Sequence, residues 1–248
     1  MPYAEWSPTA WLADRIACTW TSSVPAGEPP RESVVLPDAC MDLIWDGSRL
    51  FVAGPDVSAV AVVQPPGSRL VGIRFRPGAA PGFLGAPASE FVDEDIALAD
   101  LRRTDAHELE ERLHAATSVE VARATLERAV ARTDPIDPAV GAVVRLLARG
   151  RCEPLADSIG LSERQLRRRC TAALGYGPKT LERIVRLRRF LRLAEARPED
   201  GLAYLAALAG YADQAHLTRE CVRLAGATPR ALRERGGRIV QDGLVPAA

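Results

Sequence analysis

The chain lacks most of the features that mark secreted, membrane or metal-dependent proteins. No apolar run reaches membrane-spanning length, and the start, Met-Pro-Tyr-Ala-Glu-Trp, has no basic region followed by an apolar run. Cysteines are few and scattered: Cys18, Cys40, Cys152, Cys170 and Cys221. Without a CxxC pair or a tight framework they indicate neither a disulfide scaffold nor a zinc site. We therefore predict a soluble, cytoplasmic protein without a metal or a cofactor.

Lysine is almost absent, and the formal net charge is zero, which speaks against a nucleic-acid partner. The charge is nevertheless uneven along the chain. Residues 1–100 carry six Arg against thirteen acidic residues, a net of −7, and residues 101–134 add −1. Residues 135–248 hold twenty basic and twelve acidic groups, a net of +8. This asymmetry predicts an acidic domain joined to a basic one, of which only the basic one meets phosphate.

Residues 1–92 have the pattern of a β-rich domain, and 248 residues suffice for one large or two modest domains. Pro and Gly recur every several residues, and short apolar runs lie between them. The predicted strands are 33–36, 41–45, 50–53, 57–63 and 69–75. The sequence thus predicts an α+β protein whose N-terminal part is a small barrel or sandwich.

The N-terminal half offers candidate ligand-binding residues, each with a structural alternative. All four Trp lie within the first 45 residues, where aromatics line a pocket, fill a core or dock a terminal helix. Asp38, Cys40 and Asp42 share one side of a strand if the period of two holds. A polar turn entering a strand explains them better, because no His precedes His107 to complete a ligand set. Either Arg beside Phe75 can hold an anion or pair with the abundant acids. The candidates are Trp11, Trp20, Asp38, Cys40, Asp42, Trp45, Arg74 and Arg76.

The apolar periodicity of residues 93–134 predicts two helices joined near 116–118. Their apolar faces contain Leu109 and Leu113 on one helix and Val121, Leu126 and Val130 on the other. This hairpin either dimerises the protein or packs on the barrel. A linker is predicted at 133–138, where Asp-Pro also serves as N-cap and first residue of the next helix.

The basic part contains one pattern written twice. The stretch 155–170 is echoed by 205–221, at an offset of 50 for Gly160 and Gly210 and of 51 from Leu166 and Leu217 onward. Each copy predicts a helix-turn-helix, with Gly in the turn and a capping residue (Ser162, Asp213) before the second helix. A long amphipathic helix at 179–196 separates the copies, with Arg183, Arg186 and Arg189 predicted to be solvated.

The second helix of each copy presents side chains suited to base edges and phosphates on the face opposite its apolar residues. A purely structural helical repeat is the alternative, but an Arg at the same helical position in both copies favours nucleic acid. The candidate DNA-contacting residues are Arg164, Gln165, Arg167, Arg168, Gln214, Ala215, Thr218 and Arg219.

With these residues, the chain resembles the AraC/XylS family of bacterial transcription regulators over about residues 138–235. The pattern from 210 to 232, with its Gly-Ala-Thr-Pro ending, carries the resemblance most specifically. The resemblance implies seven helices, with two recognition helices entering major-groove segments roughly 34 Å apart. The stretches 36–42, 52–55 and 72–78 resemble an uncharacterised β-rich domain found ahead of such DNA-binding domains.

The resulting prediction is a DNA-binding transcriptional regulator, not an enzyme. We expect a β-rich sensor domain at 1–92, a helical connector at 93–134, a double helix-turn-helix domain at 135–236 and a tail at 237–248. The expected partners are double-stranded DNA, a small-molecule effector, a second copy of the chain and, for an activator, RNA polymerase. The alternatives are an N-terminal domain that only dimerises or binds a protein, and a DNA-repair methyl acceptor fused to the same domain.

Overall fold

The computed structural model describes residues 3–150 and 154–235; the predicted tail and Cys152 lie outside them. The N-terminal part contains eight strands within these residues: β1 (Tyr3–Trp6), β2 (Ile16–Ser23), β3 (Arg31–Val35), β4 (Asp42–Trp45), β5 (Leu50–Ala53), β6 (Val60–Gln64), β7 (Arg69–Phe75) and β8 (Asp95–Ala97). Six of them form an antiparallel sheet in the order β1-β2-β7-β4-β5-β8, and β3 pairs with β6 in a separate ribbon. The predicted α+β class with a β-rich N-terminal part is confirmed.

The predicted strands at 50–53 and 69–75 coincide with β5 and β7. The sequence did not indicate β1, β2 or β8. Strand β2 is buried on both faces, with Thr19 and Thr21 among its buried residues, so it lacks the polar and apolar alternation that marks a half-buried strand. Because β8 pairs with β5, the sheet extends to Ala97, beyond residue 92.

Four helices accompany the sheet: α1 (Ala80–Leu84), α2 (Leu98–Leu101), α3 (Arg103–His114) and α4 (Val119–Ala129). Leu109 and Leu113 of α3 share one apolar core with Leu126, Val130 and the sheet. The apolar faces of the hairpin therefore pack against the sheet, which is the second of the two predicted roles. Val121, predicted to be buried, is 41% exposed because it lies on the outer side of α4.

The C-terminal part contains seven helices within residues 135–150 and 154–235: α5 (Pro138–Ala148), α6 (Leu155–Ser158), α7 (Glu163–Leu174), α8 (Pro178–Ala196), α9 (Leu202–Ala209), α10 (Gln214–Ala225) and α11 (Pro229–Arg235). Asp137 caps α5, and its side chain accepts a hydrogen bond from the Ala139 amide. Pro138 follows at the first helical position, as the sequence predicted.

Helix α8 joins two separate apolar cores. Leu181 and Ile184, near its start, pack with α5 and α7, whereas Leu187 and Phe190, further along, pack with α9 and α10. One continuous helix of 19 residues thus belongs to both helix-turn-helix units. Since a packed helix is stiff, α8 sets the spacing between the units.

Candidate DNA-binding surface

The two copies of the sequence repeat fold into two helix-turn-helix units. Gly160 and Gly210 lie in the turns with φ of 67° and 90°, a left-handed conformation that residues with a Cβ adopt at a cost. Ser162 caps α7 by accepting a hydrogen bond from the Gln165 amide, and Asp213 caps α10 by accepting one from the His216 amide. These caps satisfy backbone N–H groups at the start of each helix, which fixes where the helices begin.

One face of each second helix is buried and the other is exposed. Leu166, Cys170 and Leu174 of α7 are at most 3% exposed, and Leu217 and Cys221 of α10 are fully buried. The opposite faces contain the candidate DNA-contacting residues. Those exposed to solvent are Arg164, Gln165, Arg167, Arg168, Gln214, Ala215 and Arg219, while Thr218 is half-buried.

The arginines of these helices fall into two groups. Arg169 pairs with Asp137 at 3.2 Å and so ties α7 to the start of α5. By contrast, Arg164, Arg167 and Arg168 form no ion pair with any residue that the structure describes, and neither does Arg219. Their guanidinium groups can therefore donate hydrogen bonds to carboxylate or phosphate oxygens of another molecule.

Two other candidate residues have local hydrogen bonds. Gln165 completes a capping box, since its Oε1 accepts from the Ser162 amide at 3.0 Å. Its side-chain amide nitrogen remains a donor. The Thr218 hydroxyl donates its hydrogen to the Gln214 carbonyl at 2.9 Å, so the hydroxyl oxygen remains an acceptor.

A bidentate ion pair holds α10 to α8. Arg183 donates from Nε and a terminal nitrogen to the two carboxylate oxygens of Glu220 at 2.6 and 2.9 Å. The hydrogen bonds from Arg183 lower the pKa of Glu220. Arg186 pairs with Glu182 and lies over the ring of Tyr211 at 5.5 Å. The prediction that Arg183, Arg186 and Arg189 are solvated is wrong for the first two, because Arg183 pairs with Glu220 of α10 and Arg186 pairs with Glu182 within α8 and lies over the Tyr211 ring.

A cleft of about 490 Å³ opens beside α7, between α5, α6 and the start of α8. Arg167 and Lys179 line it together with Glu163 and apolar residues. Since Arg167 also belongs to the exposed face of α7, the cleft continues the same surface.

In the N-terminal domain, the structure brings together five of the eight candidate ligand-binding residues: Trp20, Asp38, Cys40, Asp42 and Arg74. Arg74, only 1% exposed, lies 3.3 Å from Asp42 and 3.6 Å from Asp38. The indole of Trp20 donates to Asp42 at 2.7 Å. Glu5 is a third acidic partner of Arg74, at 3.7 Å. The salt-bridge interpretation of Arg74 is therefore the one the geometry favours, because its charge is already balanced within the domain.

Burial dominates the electrostatics of this cluster. Burial raises the pKa of Asp42, and Arg74 and the Trp20 hydrogen bond oppose the rise. Cys40 donates its amide to Asp38 at 2.9 Å, and burial raises the pKa of its thiol. Of the two interpretations of residues 38, 40 and 42, the polar turn entering a strand is the one that the structure shows, because β4 begins only at Asp42 and Ala39 has a positive φ of 65°.

The remaining candidates lie elsewhere. Trp11 is 53% exposed, and Trp45 is on the helix-covered face of the sheet, 4.8 Å from the ring of His114. The Arg76 Nε donates to the Ala13 carbonyl at 2.6 Å. The Trp residues therefore do not form one pocket, since strand alternation sends neighbouring side chains to opposite faces of the sheet.

Two residues at the contact between the domains were missed by sequence reasoning. Tyr176, between the two glycines that follow α7, is buried, and Asp56 lies between Pro55 and Val57, which contact the first unit. The Gly-Tyr-Gly run marks a turn, but no local signal shows that another domain covers it.

The paired units, their caps and their exposed arginines define a DNA-binding domain of the double helix-turn-helix class. A family model described as "Helix-turn-helix domain" matches residues 155–235, and one described as "Domain of unknown function (DUF6597)" matches residues 4–97. The C-terminal part of the chain is an AraC-type helix-turn-helix domain, and the AraC/XylS resemblance is confirmed.

Known proteins are similar to parts of this chain. The HTH-type transcriptional regulator VirS of Mycobacterium tuberculosis is 40% identical over 103 residues, which are 40% of this chain and 29% of VirS. A structure of ToxT from Vibrio cholerae has a TM-score of 0.45 at 10% identity, covering 84% of this chain and 98% of ToxT. An unsaturated fatty acid bound ToxT structure has a TM-score of 0.40 at 8% identity, covering 93% of each chain. Both scores lie below 0.5, so the assignment rests on the C-terminal match.

In the described residues, no helix is both long enough and apolar enough to cross a membrane.

Proposed function

We propose that the protein is a sequence-specific DNA-binding transcriptional regulator. The observation that carries this proposal is the pair of capped second helices, each with an exposed arginine that the rest of the described chain leaves unpaired. Helices of this kind place their exposed side chains against base edges and phosphates in the major groove. The match of residues 155–235 to an AraC-type domain supports the same conclusion.

Within this proposal the surface residues have different roles. Arg164, Arg167, Arg168 and Arg219 can each contact a guanine edge or a phosphate. Gln214 can bind adenine through its side-chain amide, and Ala215 can contact a thymine methyl group. Gln165 has one acceptor committed to the capping box, so it acts as a donor. Thr218 offers its methyl group and its hydroxyl oxygen, which is still free to accept.

The N-terminal domain is proposed to modulate DNA binding, with a small-molecule effector as the expected signal. Support comes from its position: Leu36 packs in the core of the second unit and Ala39 in the core of the first. A change in this domain therefore reaches both units. Dimerisation, and contact with RNA polymerase by an activator, belong to the same proposal.

The test uses duplexes enriched from a random DNA pool by the wild-type protein. Arg168→Ala and Arg219→Ala are each expected to weaken binding to the enriched duplex by about 1–3 kcal/mol, roughly 5- to 150-fold, where the side chain reaches a base. Arg132→Ala is the matched control, since it removes the same charge from an exposed site in the N-terminal domain. Wild-type affinity in both recognition-helix variants would refute the assignment.

A salt titration separates base contacts from phosphate contacts. An arginine that binds phosphate contributes about one unit to the slope of log affinity against log salt, whereas a base contact mainly affects discrimination between sequences. Comparing the slopes of Arg164→Ala and Arg168→Ala with that of the wild type therefore assigns each residue.

The methyl-acceptor alternative fits the described cysteines poorly. Cys18, Cys170 and Cys221 are buried, and burial raises their thiol pKa to about 12, 11 and 12. A methyl acceptor needs a reactive thiolate, which a raised pKa disfavours. Metal analysis of the purified protein tests this alternative, because the chemistry uses a zinc-bound cysteine cluster.

A further inference from the structure

The ribbon formed by β3 and β6 carries a concentration of exposed apolar side chains. Eight large apolar side chains are exposed among the described residues, and four of them belong to these two five-residue strands: Val34, Val60, Val62 and Val63. They are 36–61% exposed and lie on both faces of the ribbon, since Val60 and Val62 alternate with Val63. Exposed apolar side chains gathered on one element mark surfaces that another molecule covers, whereas single ones are ordinary.

The outer edge of β6 has unpaired backbone groups. In the described residues, β3 and β6 pair only with each other, in a regular register of five pairs. Ala59, directly before β6, donates its amide to the Leu224 carbonyl of α10 at 2.8 Å and so points away from β3. Because successive residues of a strand direct their amides to opposite edges, Ala61 and Val63 point away from β3 as well. Neither bonds to a backbone group outside the ribbon in the part of the chain that the structure describes.

Strand β6 lacks the features that keep exposed strand edges from pairing with other chains. Its residues, Val-Ala-Val-Val-Gln, include no charge and no proline, and its register with β3 has no bulge. Strand β3 differs, because it begins with Arg31 and Glu32 and follows Pro29 and Pro30. The unprotected edge of the ribbon is therefore the β6 edge.

The β6 edge is complementary to a second copy of itself. Antiparallel pairing about a two-fold axis at Val62 places Ala61 opposite Val63 of the second copy, and Val63 opposite its Ala61. These are the residues whose N–H and C=O groups point outward, so each pair can exchange both of its backbone hydrogen bonds. Val62 meets Val62 at the axis, and no charged side chain lies in the paired segment.

The neighbouring registers are less favourable. An axis at Ala61 would place Val63 opposite Ala59, whose amide is already bonded to Leu224. An axis at Val63 would place Ala61 opposite Pro65, which has no N–H to donate. Only the axis at Val62 uses every outward donor and acceptor of β6.

We propose that the protein self-associates through β6, with the β6 strands of two copies paired antiparallel about Val62. A ribbon of two strands is marginally stable by itself, and the pairing makes it part of a four-stranded sheet. For its biological role this pairing rests on the dimerisation included in the proposed function, to which it gives a surface. Because Leu36 and Ala59 pack in the core of the second unit, the pairing also joins the second units of the two copies.

Sedimentation velocity of the full-length protein without DNA tests the pairing, so the outcome does not depend on DNA binding. The paired segment is short, and the wild type is expected to dimerise with a dissociation constant of about 10–100 µM. Val63→Pro removes an outward N–H, which an edge strand tolerates, and should weaken the dimer about tenfold or more.

Val34→Pro is the matched control for Val63→Pro. Val34 lies opposite Ala61 in the register, so its N–H points to the outer edge of β3, away from β6. The same substitution on the other edge of the same ribbon should therefore leave the dimer as strong as in the wild type. Melting curves by circular dichroism check that both variants fold.

A disulfide at the two-fold axis locates the contact directly. Val62 faces itself in a pair that is not hydrogen-bonded, where Cα atoms are about 4.5 Å apart and within reach of a disulfide. Val62→Cys should give a cross-linked dimer under mild oxidation. Val121→Cys, at an exposed valine on α4, is the control and should cross-link no more than the wild type.

Self-association through β6 is refuted if the wild type stays monomeric up to about 200 µM, while the DNA-binding proposal is left standing. It is also refuted if Val63→Pro and Val34→Pro dimerise equally well, because the contact would then lie on another surface. Equal cross-linking of Val62→Cys and Val121→Cys has the same meaning, and this comparison decides the question if Val63→Pro fails to fold.

Discussion

Replacing either glycine that ends a recognition helix tests the packing of the two domains. Gly175 and Gly226 occupy equivalent positions after α7 and α10, and both have left-handed backbones, with φ of 85° and 61°. An alanine in this conformation costs about 1–2 kcal/mol at either position. The two sites differ in their surroundings, because a Cβ at 226 meets no atom within 4 Å.

At position 175 the new methyl group collides with the N-terminal domain. It would lie 2.7 Å from Val92, 2.8 Å from Pro55 and 3.2 Å from the Ala88 carbonyl oxygen. One of these neighbours is backbone and another is a proline ring, so relief requires the domains to shift. Overpacking of this kind costs about 1–3 kcal/mol beyond the backbone term. We therefore expect Gly175→Ala to destabilise the protein by about 2–5 kcal/mol and Gly226→Ala by about 1–2 kcal/mol.

Urea unfolding measures both quantities in the same samples. Far-UV circular dichroism follows the helices, and tryptophan fluorescence follows the N-terminal domain, because all four Trp lie within residues 1–45. Gly175→Ala should shift both transitions, whereas Gly226→Ala should mainly shift the first. Equal losses of unfolding free energy in the two variants would show that the N-terminal domain does not pack on the end of α7, and the structural reasoning would fail.

Three further substitutions have expected outcomes. Arg74→Met leaves Asp42 buried without its cation and should lower the free energy of unfolding by about 3–5 kcal/mol in tryptophan-monitored urea unfolding. Asp42→Asn should lower it less, because the side-chain oxygen still accepts from the Trp20 indole. An unchanged midpoint in Arg74→Met would contradict the buried ion cluster. Glu220→Gln breaks the pair with Arg183 and should cost about 0.5–1 kcal/mol at neutral pH. Because the pKa of Glu220 is lowered in the folded protein, this difference should vanish as the pH falls through that pKa, and a constant difference in melting temperature would argue against the pair. Asp213→Ala removes the cap of α10 and should cost about 0.5–2 kcal/mol, measured by circular dichroism.

Much of the C-terminal domain could be predicted because its signals are local. The capping box of Ser162 and Gln165, the Asp137 cap and the glycine turns depend on residues within four positions of one another. Each of these formed where the sequence placed it. The strands at 50–53 and 69–75 could also be predicted, because turn residues flank each of them on both sides.

The sequence could not predict which arginines form ion pairs within the protein and which remain unpaired. Arg169 and Arg183 resemble Arg168 in the sequence, yet their acidic partners lie 32 and 37 residues away. An ion pair between such distant residues exists only after the helices have packed. The same holds for Arg74 and Asp42, which meet because β7 and β4 are neighbours in the sheet.

By itself, the sequence determined the two helix-turn-helix units, the residues exposed on their second helices and the division into an acidic and a basic half, because caps, turns and apolar periodicity act over a few residues. Only the tertiary structure decided which arginines remain unpaired and that the hairpin covers the sheet. It also decided that Tyr176 is buried and that Gly175 packs against Val92 and Pro55 of the N-terminal domain. These outcomes depend on burial and on charge pairs between distant segments, and such interactions arise only once the chain has folded.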